Sequence, residues 1–224
     1  MKTINIAIDG PAGAGKSSVA REVSSELGFI YVDTGALYRT VALYACNSDI
    51  KSEKELIEHL DEIDIELNFI SGTQRIMLNG EDVTDDIRTP EISMGASKVS
   101  AIPEVREYLF DLQKKIAREH NVIMDGRDIG TVVLPDADLK IFLTASVDER
   151  ASRRYIELKE KADCPTYEEI REDIIKRDYN DSHRAIAPLR KADDAYTVDT
   201  TYMGFHEVCT EIISVIKSKL EIDD

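Results

Sequence analysis

The stretch Gly10-Pro-Ala-Gly-Ala-Gly-Lys-Ser17 decides the fold. It follows the apolar run Ile4-Asn-Ile-Ala-Ile8, which reads as a strand, and it precedes Ser18-Val-Ala-Arg-Glu-Val-Ser-Ser-Glu-Leu27, which reads as a helix. The spacing fits G-x-x-x-x-G-K-[ST], and a strand before with a helix after is the context that pattern requires. The glycines let consecutive backbone N–H groups turn inward around an anion, and the helix points its positive dipole end at the same place. A polyphosphate is the guest that suits such a cradle. Gly10, Pro11, Ala12, Gly13, Ala14, Gly15, Lys16, Ser17 and Ser18 are therefore its expected seat. Lys16 would reach the β and γ phosphates, and the Ser17 hydroxyl would ligate Mg²⁺.

The formal net charge of −16 over 224 residues argues against a general nucleic-acid binder, which needs a basic field. Residues 150–191, however, hold eleven Lys or Arg against nine Asp or Glu, while the rest of the chain holds 17 against 35. A slightly basic segment on an acidic protein suggests a small phosphorylated ligand, met locally. Cys46, Cys164 and Cys209 are too widely spaced for a disulfide framework or a zinc site, and the four histidines form no H-E-x-x-H pattern. The N-terminus runs straight into the first strand and no apolar run approaches 18 residues. The reading is of a soluble cytoplasmic protein, monomeric, with no membrane or nucleic-acid partner.

Beyond the phosphate loop, Gly28-Phe-Ile-Tyr-Val-Asp33 completes a β-α-β unit, and Thr34-Gly-Ala-Leu-Tyr-Arg39 opens a helix capped by Asp33 or Thr34. Arg39, one turn into that helix, could aim its fork at a second phosphate. The texture changes between Ile63 and Thr84. Alternating runs, a Ser71-Gly-Thr turn and an Asn79-Gly80 hairpin turn predict a small antiparallel meander. Pro90 and Pro103 each suit the first turn of a helix. In the second, Val105, Leu109, Leu112 and Ile116 form the apolar stripe and leave Arg106 at its edge.

Asn121-Val-Ile-Met124 reads as a buried strand that delivers Asp125-Gly-Arg-Asp128 to the same crevice as the phosphate loop. Leu139-Lys-Ile-Phe-Leu143 and Tyr196-Thr-Val-Asp199 are further strands, and Gly204 to Leu220 is an amphipathic helix. Ser146-Val-Asp-Glu149 caps a helix carrying Arg150, Arg153 and Arg154, whose spacing predicts three guanidinium groups along one side. A second helix, capped by Thr166-Tyr-Glu-Glu169, ends in Arg177, Asp178, Asp181 and Arg184. The loop between them, Glu160 to Pro165, is the candidate for a mobile lid.

Together these motifs resemble the bacterial type of cytidylate kinase, within the nucleoside monophosphate kinases. The resemblance rests on Ile8 to Ser17, Asp33 to Arg39, Asp125 to Val133, Pro135 to Leu143 and Arg177 to Pro188, in that order along the whole chain. It implies an α/β fold with a P-loop NTPase-type parallel sheet flanked by helices. It divides the chain into a core of residues 1–60 and 121–224 with a helical lid near 150–165, and an inserted antiparallel β subdomain at about 61–120 that binds the monophosphate. The implied reaction is transfer of the γ-phosphoryl group from ATP to CMP or dCMP, with Mg²⁺. By the same resemblance Arg39 and Arg127 hold the acceptor phosphate, with Thr34, Tyr38 and Gly126 beside them. Ser97, Arg106 and Asp128 read the cytosine edge. Arg177 and Asp181 hold the ribose hydroxyls and Arg184 lies near the phosphates. Lys16, Arg127, Arg150, Arg153, Arg154 and Arg184 would neutralise charge during transfer. The chemistry is consistent: Asp128 can accept from the exocyclic amine of cytosine, whereas uracil would turn an acceptor toward the same carboxylate.

Overall fold

The computed structural model describes residues 3–70, 73–160 and 164–221. Strand β1 (Asn5–Asp9) is the centre of a five-stranded parallel sheet with β6 (Val122–Gly126) and β7 (Leu139–Thr144) on either side. Strand β2 (Ile30–Asp33) lies outside β6, and β8 (Tyr196–Asp199) outside β7. Strands buried on both faces need near-continuous apolar sequence, and Ile6, Ala7, Ile8, Val122, Ile123 and Met124 are all fully enclosed. The register puts Asp9 beside Gly126, and Asp33 beside Asp125. The order reverses direction at β1, so the loops after β1 and β6 open into one crevice at the carboxyl edge of the sheet.

Helix α1 (Lys16–Leu27) follows the phosphate loop and ends at Gly28, whose φ of 68° closes the last turn. It packs with α8 (Phe205–Leu220) over one face of the sheet through Val19, Val23, Ile212 and Ile216. Helix α2 (Thr34–Asn47) is capped by Asp33, which accepts from the Ala36 amide, and α2 sits at the junction with a second, three-stranded antiparallel sheet. That sheet is β3 (Ile65–Ile70), β4 (Thr73–Leu78) and β5 (Glu81–Asp82). Asn79 and Gly80 both have positive φ, 50° and 84°, as a two-residue turn matched to strand twist requires. Ile65, Ile76 and Leu78 pack with Leu37 and Val41 of α2, in one cluster with Ile92 and Val99 of α4 (Pro90–Val99) and Val105 and Leu109 of α5 (Pro103–Glu119). The meander is thus fastened to the parallel core through α2.

A short helix, α3 (Glu53–Glu58), leads through a single turn of tighter helix into the meander. On the other side, α6 (Val147–Leu158) and α7 (Tyr167–His183) pair around Ala151, Ile170 and Ile174. The Thr166 cap is reciprocal, with the Glu169 carboxylate accepting from the Thr166 amide. Residues 1–2, residues 71–72 of the expected Ser71-Gly-Thr turn, residues 161–163 of the loop from Glu160 to Pro165 expected as a lid, and residues 222–224 lie outside the described residues.

Three features differ from the sequence reading. Strand β5 is two residues rather than four, because the Val83 amide and the Thr84 hydroxyl bond Ile76 and turn the chain inward. Residues Ile129–Val133 form one wide helical turn that no local pattern announces. The stripe of α5 is rotated, so that Gln113 is buried and Leu112 half-exposed, and Arg106 lies inside rather than at the edge because a buried carboxylate awaits it.

The loop geometry yields a contrast between two glycines. Gly10 has φ 152° and a Cβ there would stand 1.9 Å from the Leu143 carbonyl oxygen, whereas Gly28 opens onto free space. Gly10→Ala should cost about 3 kcal/mol or more by denaturant melting, and Gly28→Ala about 1 kcal/mol. Equal losses would contradict the close fit of the loop against β7.

Candidate active site

In the phosphate loop, Gly10, Gly13 and Gly15 all have positive φ, the backbone shape that turns N–H groups toward a common centre. Pro11 and Ala14 are buried beneath the loop, while Gly13, Ser17 and Ser18 are exposed at its mouth. Lys16 is 5% exposed, and its Nζ donates to the Pro11 carbonyl at 2.8 Å. Burial pushes the Lys16 ammonium down to about 7, with the Arg127 charge adding to the effect. The Ser17 hydroxyl donates to Asp125 Oδ2 at 2.8 Å, and the Tyr31 hydroxyl donates to the other oxygen. Burial raises the Asp125 carboxyl to about 6, helped by the negative charge of Asp33.

Asp9, which ends β1, accepts from the amides of Ile129 and Gly130 at 2.8 and 2.7 Å. It clamps the start of the wide turn and so fixes Asp128 relative to the phosphate loop. Burial raises the Asp9 carboxyl to about 6 despite those two bonds. Sequence reasoning passed over Asp9; its one signal was a carboxylate at the end of a buried strand. Gly126 is there of necessity, since a Cβ would come within 2.8 Å of Thr34 Oγ1 and closer still to Ile129. Thr34 itself is buried, its hydroxyl donating to the Asp125 carbonyl at 2.7 Å. It braces the loop from below.

The arginines converge on this crevice from distant segments, and Arg39, Arg106, Arg127 and Arg184 are each met by a carboxylate. Asp128, 5% exposed, is gripped from both sides by Arg106 and Arg184, the latter at 3.1 Å. Arg106 also donates to the Ser100 carbonyl and lies over the Tyr38 ring, 5.8 Å from its centroid. Ser97, one turn before Ser100, is half-buried, and among the described residues its hydroxyl makes no hydrogen bond. Arg184 donates to the Ala187 carbonyl as well, and burial lowers its guanidinium. Arg127 donates from Nε to Asp181 at 2.8 Å. Arg39 donates from Nη2 to Asp33 at 2.8 Å, while its buried Nε has no partner among the described residues. Arg177 stands in the electrostatic range of Arg127, Arg39 and Arg154, offset by Asp181. Solvent reaches Arg177, but the protein surrounding it and these cations lower its guanidinium.

The three arginines of α6 do not lie along one side. Arg150 is buried and spends its donors on the Ala145 and Ala12 carbonyls and on both oxygens of Asp178, at 3.0 and 2.6 Å. It ties the α6–α7 pair to the phosphate loop. Arg153 donates to Glu149, to the Thr200 hydroxyl and to its carbonyl, and its fork lies over Gly15. Arg154 is exposed and pairs with Glu157. Their divergence follows from the acceptors each one meets: periodicity gives the direction of Cβ, and a guanidinium reaches several ångströms beyond it.

Among the described residues no helix is long and apolar enough to cross a membrane. The chain matches the family model described as Cytidylate kinase over residues 6–218. A protein named cytidylate kinase from Caldicellulosiruptor saccharolyticus is 51% identical over 217 residues, covering 96% of each chain. Another so named, from Lactobacillus johnsonii, is 49% identical over 218 residues, covering 96% of this chain and 95% of its own. The solved structure of an uncharacterized protein from Eubacterium ventriosum superposes with a TM-score of 0.54 at 14% identity, over 96% of this chain and 99% of that one, a likeness of fold alone. On the family match and on identity sustained along almost its whole length, the chain belongs to the cytidylate kinase family.

Proposed function

We propose that the protein transfers the γ-phosphoryl group of ATP to CMP or dCMP, releasing ADP and CDP or dCDP. The observation that carries the choice of acceptor is Asp128, a buried carboxylate held between Arg106 and Arg184 across the crevice from the phosphate loop. A carboxylate there accepts from the cytosine amine, while Arg106 and Ser97 donate to the ring acceptors. A sugar or other non-nucleotide acceptor has no use for this pair. The soluble cytoplasm, as a monomer, is the expected setting.

The division of labour follows from the charges. Residues 10–18 wrap the donor phosphates, with the Lys16 ammonium leaving the Pro11 carbonyl for them. Arg39 and Arg127 hold the acceptor phosphate, Tyr38 and Gly126 lining its approach. Arg177 and Asp181 take the ribose hydroxyls, and Arg184, Arg153 and Arg154 balance charge on the phosphates, while Arg150 braces α6 and α7 against the loop. The acceptor oxygen is ionised at neutral pH, so no strong general base is needed, and the protein's task is alignment and neutralisation. As its bond to the γ-phosphorus forms, the bond to the β–γ bridging oxygen breaks. Ser17 and Asp125 suit Mg²⁺: a hydroxyl bonded to a buried carboxylate whose charge burial disfavours is a pair that a cation would stabilise. Bound there, Mg²⁺ would supply charge neutralisation at the donor phosphates. The insertion at about 61–120, which contains the meander, is read as the monophosphate-binding subdomain, and residues near 150–165 as the lid.

ADP release measured with CMP, dCMP, UMP, AMP and GMP offered singly tests the reading. CMP and dCMP should turn over and the others should lag by about 100-fold or more. Comparable rates with AMP or UMP would overturn it. Arg127→Ala should lower kcat/KM for CMP by about 1000-fold. Asp128→Asn should narrow the gap between CMP and UMP, and it should cost about 3 kcal/mol of stability by leaving two buried arginines without their carboxylate.

A proton-linkage measurement tests the role of Lys16. The folded Lys16 value of about 7 lies below its ordinary 10.5, so the cost of keeping it charged in the free protein grows as pH rises above about 7. Incoming phosphates reverse the shift. ATP binding at pH 8, followed by calorimetry in buffers of different ionisation enthalpy, should take up a fraction of a proton, and at pH 6 the uptake should vanish. No uptake at pH 8 would mean that Lys16 does not meet the phosphates.

A further inference from the structure

The carboxylate of Asp33 is divided between two tasks. Oδ1 accepts from the Ala36 amide and caps α2, while Oδ2 accepts from Arg39 Nη2 at 2.8 Å. The pairing runs across Gly35, where a Cβ would stand 3.2 Å from Asp33 Oδ1 and 3.4 Å from Arg39 Nη1. A side chain there would press on both groups, and glycine leaves the fork room to fold back over the first turn. Held at Nη2, the guanidinium keeps a buried Nε without a partner among the described residues. An orphaned buried donor costs free energy in the empty protein and points to an acceptor that arrives with the ligand. The backbone of Asp33 is pinned from elsewhere: its amide donates at 3.0 Å to Gln74 Oε1, a side chain of the meander strand β4. One residue therefore joins the end of β2, the start of α2, the fork of Arg39 and the meander.

We infer that Asp33 is a positioning residue for acceptor-phosphate binding, presetting Arg39 so that its free Nε–H faces the incoming phosphate. Gln74 steadies Asp33 from the meander, so the seating of that sheet is felt at the phosphate. The inference rests on the reading of Arg39 as an acceptor-phosphate ligand.

The variants Asp33→Asn and Asp33→Ser each keep an oxygen able to cap α2 and remove the anionic partner of Arg39. Both should melt within a few degrees of wild type. Both should raise the KM for CMP about tenfold, with the KM for ATP within about twofold, since the donor loop is untouched. The decisive readout is a cycle with Arg39→Ala, followed as equilibrium binding of CMP by calorimetry so that no turnover is needed. If Asp33 acts through Arg39, Asp33→Asn should weaken CMP binding in the wild-type background and add less than about twofold in the Arg39→Ala background. The same loss in both backgrounds, or no loss in either, would overturn the inference. Wild-type protein that neither binds nor phosphorylates CMP would instead defeat the reading of the site. Gln74→Leu, which removes the acceptor for the Asp33 amide, should weaken CMP in the same direction by a smaller factor, and unchanged affinity would sever the meander from the device.

Discussion

The structure depends on one electrostatic constraint: a cluster of cations must be held close together when no phosphate is present. Lys16, Arg39, Arg127 and Arg177 crowd one crevice, where burial with the charges of Arg127 and Arg177 lowers Lys16, and burial with those of Arg127 and Arg39 lowers Arg177. Left unpaired, such charges in a partly desolvated site would drive the segments apart. Carboxylates hold four of the arginines around it instead. Asp33 takes Arg39, Asp181 takes Arg127, and Asp128 takes Arg106 and Arg184 together. These pairs are less a source of net stability than a means of keeping donors aimed. In the proposed reading, a phosphate that enters meets the donors the pairs leave free, the Arg39 Nε–H among them.

The fold makes that arrangement by bringing three strand ends to one level. Asp9, Asp33 and Asp125 close β1, β2 and β6, and the parallel register sets Asp33 beside Asp125 and Asp9 beside Gly126. Each then does a different thing with its oxygens. Asp9 clamps the turn that presents Asp128, Asp125 meets Ser17 at the mouth of the phosphate loop, and Asp33 aims Arg39. Arg150 provides the matching tie from the other side, fixing α6 and α7 to the Ala12 carbonyl. The contrast within α6 separates bracing from service: Arg150 is saturated by protein acceptors, whereas Arg154 stays at the surface.

Much of this was legible from local sequence. The phosphate loop, the caps at Asp33, Ser146 and Thr166, and the Asn79-Gly80 turn depend on neighbours a few residues away, and each formed as read. What escaped depends on partners far along the chain. Arg106 looked peripheral because periodicity counts apolar residues and cannot see a carboxylate 22 positions on. Asp9 looked like an ordinary strand end because its partners are the amides of Ile129 and Gly130. Arg150, Arg153 and Arg154 shared a spacing but not a destination. The likeness to a known family supplied roles for Arg127, Asp128 and Asp181 that spacing alone left open between function and a solvated turn.

The central claim is that the arginines paired around the crevice meet the acceptor while the bracing arginine does not. The most direct measurement is a titration of arginine-labelled protein with CMP, following the Nε–Hε resonances by NMR. Saturable shifts at Arg39, Arg127, Arg106 and Arg184 with an unmoved Arg150 are the predicted result. Movement of Arg150 with no change at Arg39 and Arg127 would contradict the account.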